Sequence, residues 1–80
     1  MKTIDEETEA RITFALSLRT YREIAGFSQR GLAKRIGADH TYISHLEGGR
    51  RGASFRTIIL LAAALGIKPG QLFEEVESED

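Results

Sequence analysis

Two stretches of the chain are bracketed alike. "SQRGLAKRIG", Ser28 to Gly37, and "SFRTIILLAAALG", Ser54 to Gly66, each open on a serine and close on a glycine. A serine at the start of a helix can accept a hydrogen bond from a backbone N–H of the first turn that has no partner in the helix. A glycine just past the last turn takes the left-handed conformation that ends one. In the first stretch Leu32, Ala33 and Ile36 fall on one helical face, with Arg30 and Lys34 on another. The second is apolar nearly all round. Both read as helices.

The remaining segments follow the same pattern. The chain has one proline and no long alternating run of the kind a strand needs. Thr3 with Glu6 has the form of a capping box, which starts a first helix near Ile4 or Asp5. Ile12 and Leu16, with Ala15 and Arg19, continue it at helical spacing until Gly26. Asp39 can cap a third helix that runs to about Glu47. Pro69 suits the first position of a short fifth helix, "PGQLFEEV". Gly31, inside the second helix, costs about 0.8–1 kcal/mol relative to alanine. It either marks a close backbone approach or is tolerated. The expectation is all-α: a compact five-helix domain over residues 1–80, with a core over about 5–76 and an acidic tail, 77–80, that frays.

An 80-residue chain buries a modest share of its surface, so its one core is marginal. Small domains usually add disulfides, a metal or a partner chain. There is no cysteine, hence no disulfide and no thiolate zinc site, and two histidines alone cannot close a metal site. No cofactor is expected. Very good helix packing or self-association remains. The lack of cysteine fits a reducing cytosol. No signal-peptide pattern is present, and the apolar run "IILLAAALGI" is ten residues, too short to span a bilayer. The expected location is cytoplasmic, away from any membrane.

The net charge of −1 conceals an uneven distribution. Residues 1–10 carry one Lys and four acidic residues, net −3; residues 11–56 carry nine Lys or Arg against three acidic residues, net +6; residues 57–80 carry one Lys and five acidic residues, net −4. A basic middle between acidic ends suits a basic face for an anionic partner, although solvated charge balanced within the fold has the same appearance.

The second and third helices carry the sharper signal. Counting Gln29 as first, Ala33 is fifth, Gly37 ninth and Ile43 fifteenth. Two helices that cross closely need a small side chain at the contact, which Ala33 supplies. The bend between them needs a residue free to take positive φ, which Gly37 supplies. The second helix needs inward apolar anchors, Ile43 and Leu46. This is helix-turn-helix spacing, whose second helix enters the major groove of double-stranded DNA. With Ile43 and Leu46 turned in, Thr41, Ser44 and His45 face out, His40 lies at the helix start and Tyr42 on the flank. Short hydrogen-bonding side chains on a narrow face suit base edges. His40, Thr41, Ser44 and His45 are therefore the candidate base contacts. Gln29, Arg30 and Tyr42, with Arg50 and Arg51 beyond a glycine hinge, are the candidate backbone contacts.

The span from Leu16 to Phe73 resembles the XRE family of Cro and phage-repressor helix-turn-helix proteins. The resemblance rests on Leu18, Arg22, Gly26, Phe27, Ser28 and Gln29; on Leu32, Ala33 and Gly37; on Ile43, Ser44, Leu46, Glu47 and Gly49; and on Ala64, Leu65 and Gly66. "HTYISHLEGGRR" also resembles the small controller proteins of restriction–modification systems, though stand-alone repressors share "TYIS". The resemblance implies an ion pair between Arg22 and Glu47. Three departures stand out. Arg30 and Gly31 replace the family's acidic residues after Ser-Gln. Gly52-Ala53 replaces a proline before the fourth helix. Leu60 and Ala63 occupy positions that are commonly basic or polar.

An all-round apolar fourth helix must be covered on every side. Ile59, Leu60, Ala63 and Phe73 are the candidate homodimer interface, the alternative being a thick local core. The expected function is a dimeric, sequence-specific transcriptional regulator on an inverted-repeat operator, with no small-molecule ligand. The rival reading is an antitoxin-type module whose apolar helix grips a partner protein. Enzyme activity is not expected: Ser44 has no nearby base with an orienting carboxylate, and His40 and His45 lack a Cys or acidic partner at ligand spacing.

Overall fold

The computed structural model describes residues 3–76; the acidic tail at 77–80 lies outside them. Four α-helices run in order, α1 (Thr3–Ile24), α2 (Gln29–Ile36), α3 (His40–Glu47) and α4 (Phe55–Leu65), and a 3-10 turn follows over Pro69–Phe73. No strand occurs among the described residues.

The expected fifth helix is thus this short turn. Its Glu74 N–H bonds Gln71 O at 3.3 Å, an i to i−3 closure, and Lys68 N–H is taken by Gln71 Oε1 at 2.9 Å. Glu74 then goes extended, and its carbonyl accepts from Ser17 Oγ at 2.6 Å. Ser17 is buried on α1. A buried hydroxyl without a partner is costly, so matching it favours leaving the helix at Glu74.

The two bracketed helices close as their ends predict. Ser28 Oγ accepts from Gly31 N–H at 2.9 Å and Ser54 Oγ from Thr57 N–H at 3.1 Å. Gly37 and Gly66 sit at φ +75° and +72°. In both, the residue after the glycine bonds back five positions: Ala38 N–H to Ala33 O at 2.8 Å and Ile67 N–H to Ala62 O at 3.0 Å. Asp39 differs from expectation. It holds the N-cap position of α3, but its carboxylate makes no cap hydrogen bond. The side chain of Thr3, and with it the expected capping box, lies outside the described residues.

The core joins Phe14 and Leu18 of α1, Leu32 and Ala33 of α2, Ile43 and Leu46 of α3, Leu61 and Ala62 of α4, and Leu72 of the 3-10 turn. Ile12 and Leu16 continue α1 as their spacing predicts, but on its outer side, 51% and 61% exposed. They lie two residues from Phe14 and Leu18, hence about 200° away around the helix. Both stripes fit the helical period, and the larger aromatic side took the core. At Gly31 the near neighbours are side-chain atoms rather than backbone: a Cβ there would stand 3.2 Å from Ser28 Oγ, the hydroxyl that caps its own helix.

Candidate nucleic-acid interface

The placement of α3 follows from two anchors. Ile43 and Leu46 are fully buried, so the opposite side of an eight-residue helix is fixed in space. Thr41 and Ser44 are exposed there, His45 is half-buried beside them, and Tyr42 is half-buried on the flank. His40 lies at the helix start, its Nδ1 3.6 Å from Asp39 Oδ1, beyond good hydrogen-bond distance. Arg30 is exposed near the start of α2.

The segment after α3 is a closed turn rather than a loose hinge. Gly48 N–H bonds Ser44 O at 2.9 Å, Gly49 takes φ +73°, and Arg50 N–H returns to His45 O at 3.0 Å. The turn holds Arg50 and Arg51 beside α3, both exposed. The Arg51 guanidinium carbon lies 5.0 Å from the centroid of the Tyr42 ring, within the range of a cation–π attraction. Tyr42 thus packs on the core with one side and carries Arg51 on the other.

Behind α3 is a polar network. Arg22 donates from Nε to Glu47 Oε2 at 2.6 Å and from Nη2 to Glu47 Oε1 at 3.1 Å, a two-pronged pair, and from Nη1 to Phe27 O at 2.8 Å. Gln29 Nε2 adds a bond to Glu47 Oε1 at 3.1 Å. The amide assigned to a phosphate from sequence is therefore engaged within the protein. The Arg22 and Glu47 side chains are only 11% and 4% exposed. The hydrogen bonds Arg22 donates to Glu47 hold its guanidinium above its ordinary pKa against the opposing effect of burial, and the charges of Glu47 and Glu23 add to it. Glu47, the last residue of α3, so ties that helix to both α1 and α2. The same residues, with Arg19, Ser44 and Gly48, line a polar cleft of about 300 Å³.

Two contacts were not visible in the sequence. Gln29 to Glu47 spans eighteen positions and joins different helices. Arg51 over Tyr42 depends on how the turn after α3 closes. The one available signal was that Tyr42 and Arg51 are a ring and a cation flanking one short helix.

The residues assigned to a dimer face are spread over two grooves. Leu60 and Ala63 border Arg35 and Ile36 of α2. Phe73 stacks on Phe14, ring centroids 5.4 Å apart, in a groove shared with Ala53 and Ile58. Ile59 and Leu60 are 40% and 37% exposed. Among the described residues there is no cluster of His, Cys, Asp and Glu able to hold a metal ion, and no helix long and apolar enough to cross a membrane.

Comparison with known proteins agrees with this geometry. A helix-turn-helix domain family matches residues 13–76. The control protein C.MunI of a Mycoplasma species is 35% identical over 72 residues, covering 89% of this chain and 97% of that protein. A hypothetical transcription factor of Neisseria meningitidis serogroup B is 36% identical over 69 residues, 86% of this chain; the chain spans only 65% of that relative's length. Among solved structures, the restriction-modification controller protein C.AhdI from Aeromonas hydrophila superposes with a TM-score of 0.75 at 40% identity, over 79% of this chain and 96% of that one. The chain, with its capped basic helix, left-handed glycine bend and anchored second helix, belongs to the helix-turn-helix family, in its XRE-like branch.

Proposed function

We propose that the chain is a sequence-specific transcriptional regulator that binds an inverted-repeat operator as a homodimer, in the manner of a restriction–modification controller. The observation that carries this reading is the Thr41, Ser44 and His45 stripe on a helix whose opposite side is fully buried. Short donors and acceptors held rigidly on a narrow face can read base edges in the major groove. His40 lies at the groove-facing helix start. Arg30, Arg50 and Arg51, exposed around it, meet the phosphate backbone, with Tyr42 and the α2 start at Gln29 beside them.

Self-association rests on the apolar outer side of α4, where Ile59, Leu60 and Ala63 are exposed, together with Phe73. A two-fold dimer places its recognition helices about 34–36 Å apart, one turn of the duplex. The same face favours a second reading, a protein-interaction module of the antitoxin type. Isolation from the native host separates the two: a stoichiometric second protein on α4 supports the partner reading, and a homodimer alone supports the regulator.

The deciding experiment titrates His45→Ala and Arg51→Ala against preferred and scrambled duplexes at several salt concentrations. His45→Ala is expected to lose roughly 1–3 kcal/mol on the preferred site and little on scrambled DNA. Arg51→Ala is expected to weaken both about equally and flatten the salt slope by about one unit. If Arg51→Ala relaxes sequence preference and His45→Ala leaves it intact, the reading and gripping roles are reversed.

A further inference from the structure

We infer that Arg19 extends the DNA interface onto α1, meeting a backbone phosphate at the mouth of the cleft between α1, α2 and α3, and that Glu23 competes with that phosphate for it. The inference rests on the DNA-binding reading above.

Position is the first reason. Arg19 lines the same cleft as Gln29 and Ser44, so it stands next to the outward face of α3 although it belongs to a helix that carries none of the residues assigned to DNA. Charge is the second. The carboxylate inside the cleft is neutralised: Glu47 Oε2 takes Arg22 Nε, and Glu47 Oε1 takes both Arg22 Nη2 and Gln29 Nε2. Arg22 is spent in that pair and on Phe27 O. Arg19 is held differently, by Glu23 at 3.3 Å one turn along α1, with both side chains more than half exposed, 63% and 57%.

The third reason is the relative strength of the two attachments. An exposed ion pair across one helical turn is weak, because water screens it and two long side chains must be ordered to make it. A duplex phosphate brings a dense line of charge and releases a condensed counterion when it is neutralised. Exchange of Glu23 for phosphate is therefore favourable, and it needs only a rotamer change of Arg19. Glu23 also contributes to holding Arg22 charged, so its field is shared between the two arginines and does not bind Arg19 alone.

The test compares the wild-type protein, Arg19→Ala, Arg19→Lys, Glu23→Gln and the Arg19→Ala, Glu23→Gln double variant on preferred and scrambled duplexes across a salt series. Arg19→Ala is expected to weaken both duplexes by the same factor, about three- to tenfold near 0.1 M salt, and to lower the salt slope by about one unit. Arg19→Lys should restore most of both. Glu23→Gln should tighten binding about two- to threefold alone and have no effect once Arg19 is gone. If Arg19→Ala leaves affinity and slope unchanged while Arg51→Ala reduces them, Arg19 is outside the interface and only this inference falls. If Glu23→Gln tightens binding equally in the Arg19→Ala background, Glu23 acts by plain repulsion and the competition is overturned. A wild-type protein with no salt-dependent affinity for any duplex removes the DNA reading and this inference with it.

Discussion

Helices α2 and α4 are closed by the same chemistry and face outward in opposite ways. Each has a serine hydroxyl on a first-turn N–H and a left-handed glycine at its end. Yet α2 exposes Arg30, Lys34 and Arg35, while α4, past Arg56 in its first turn, exposes Phe55, Ile59, Leu60 and Ala63. The attachments differ as well. α2 is tethered through the Gln29 amide to Glu47, whereas α4 is held by apolar contacts at Leu61 and Ala62. Ends fix where a helix begins and stops. They say nothing of what it meets, which is decided by the side chains between.

The largest expected effect probes the polar attachment. Glu47→Ala leaves Arg22 buried without its partner and releases Gln29, and should cost roughly 3–5 kcal/mol in urea unfolding. Arg22→Ala should cost less than or about as much, and the double variant less than the two summed. Strict additivity would place the two charges apart in solution and remove the tie between α3 and α1.

A smaller effect separates the two outer faces. Leu60→Glu should raise the dimer dissociation constant about 100-fold, near 2.8 kcal/mol, by sedimentation. Lys34→Glu should leave assembly unchanged and weaken duplex binding. If Leu60→Glu stays dimeric at micromolar concentration, the proposed interface is elsewhere and the apolar face of α4 answers to something else.

The caps come next, and here the helices should behave alike. Ser28→Ala and Ser54→Ala should each lose about 1 kcal/mol, within a few tenths of one another in chemical denaturation. A large inequality would mean that one cap is dispensable. The smallest effect is Gly31→Ala. Its helix-propensity gain of about 1 kcal/mol is set against a Cβ 3.2 Å from Ser28 Oγ. The two should nearly cancel, leaving a net change under about 0.5 kcal/mol, and a gain near the full propensity value would show that the cap yields freely.

What the sequence disclosed about these elements was local. Ser28, Gly37, Ser54 and Gly66 act within four or five residues of themselves, so their chemistry is readable from neighbours alone. Ala33, Gly37 and Ile43 were legible as a spacing because the bend they make is short. Ile12 and Leu16 marked the helix but not its buried side, because Phe14 and Leu18 share their period, and only packing chooses between two stripes on one helix. Asp39 sits where a cap belongs, but position does not aim a carboxylate. The fifth helix failed for a distant cause: Ser17 needs the Glu74 carbonyl, fifty-seven positions away. Around the candidate site, the Arg22 and Glu47 pair entered through family resemblance. The Gln29 bond belongs to tertiary geometry and had no local trace, and the Arg51 and Tyr42 contact had only a ring and a cation flanking one short helix.

Glu47 closes α3 and is gripped from both α1 and α2. Helix α3 is consequently immobilised on two sides before it meets any partner. Ordering costs that other readers meet on contact were met here when the chain folded. Binding should then show the modest heat-capacity change of rigid surfaces meeting, without the large negative excess that accompanies folding coupled to association. On the proposed reading, one carboxylate at the end of an eight-residue helix would set the calorimetric character of DNA binding as well as the stability of the fold.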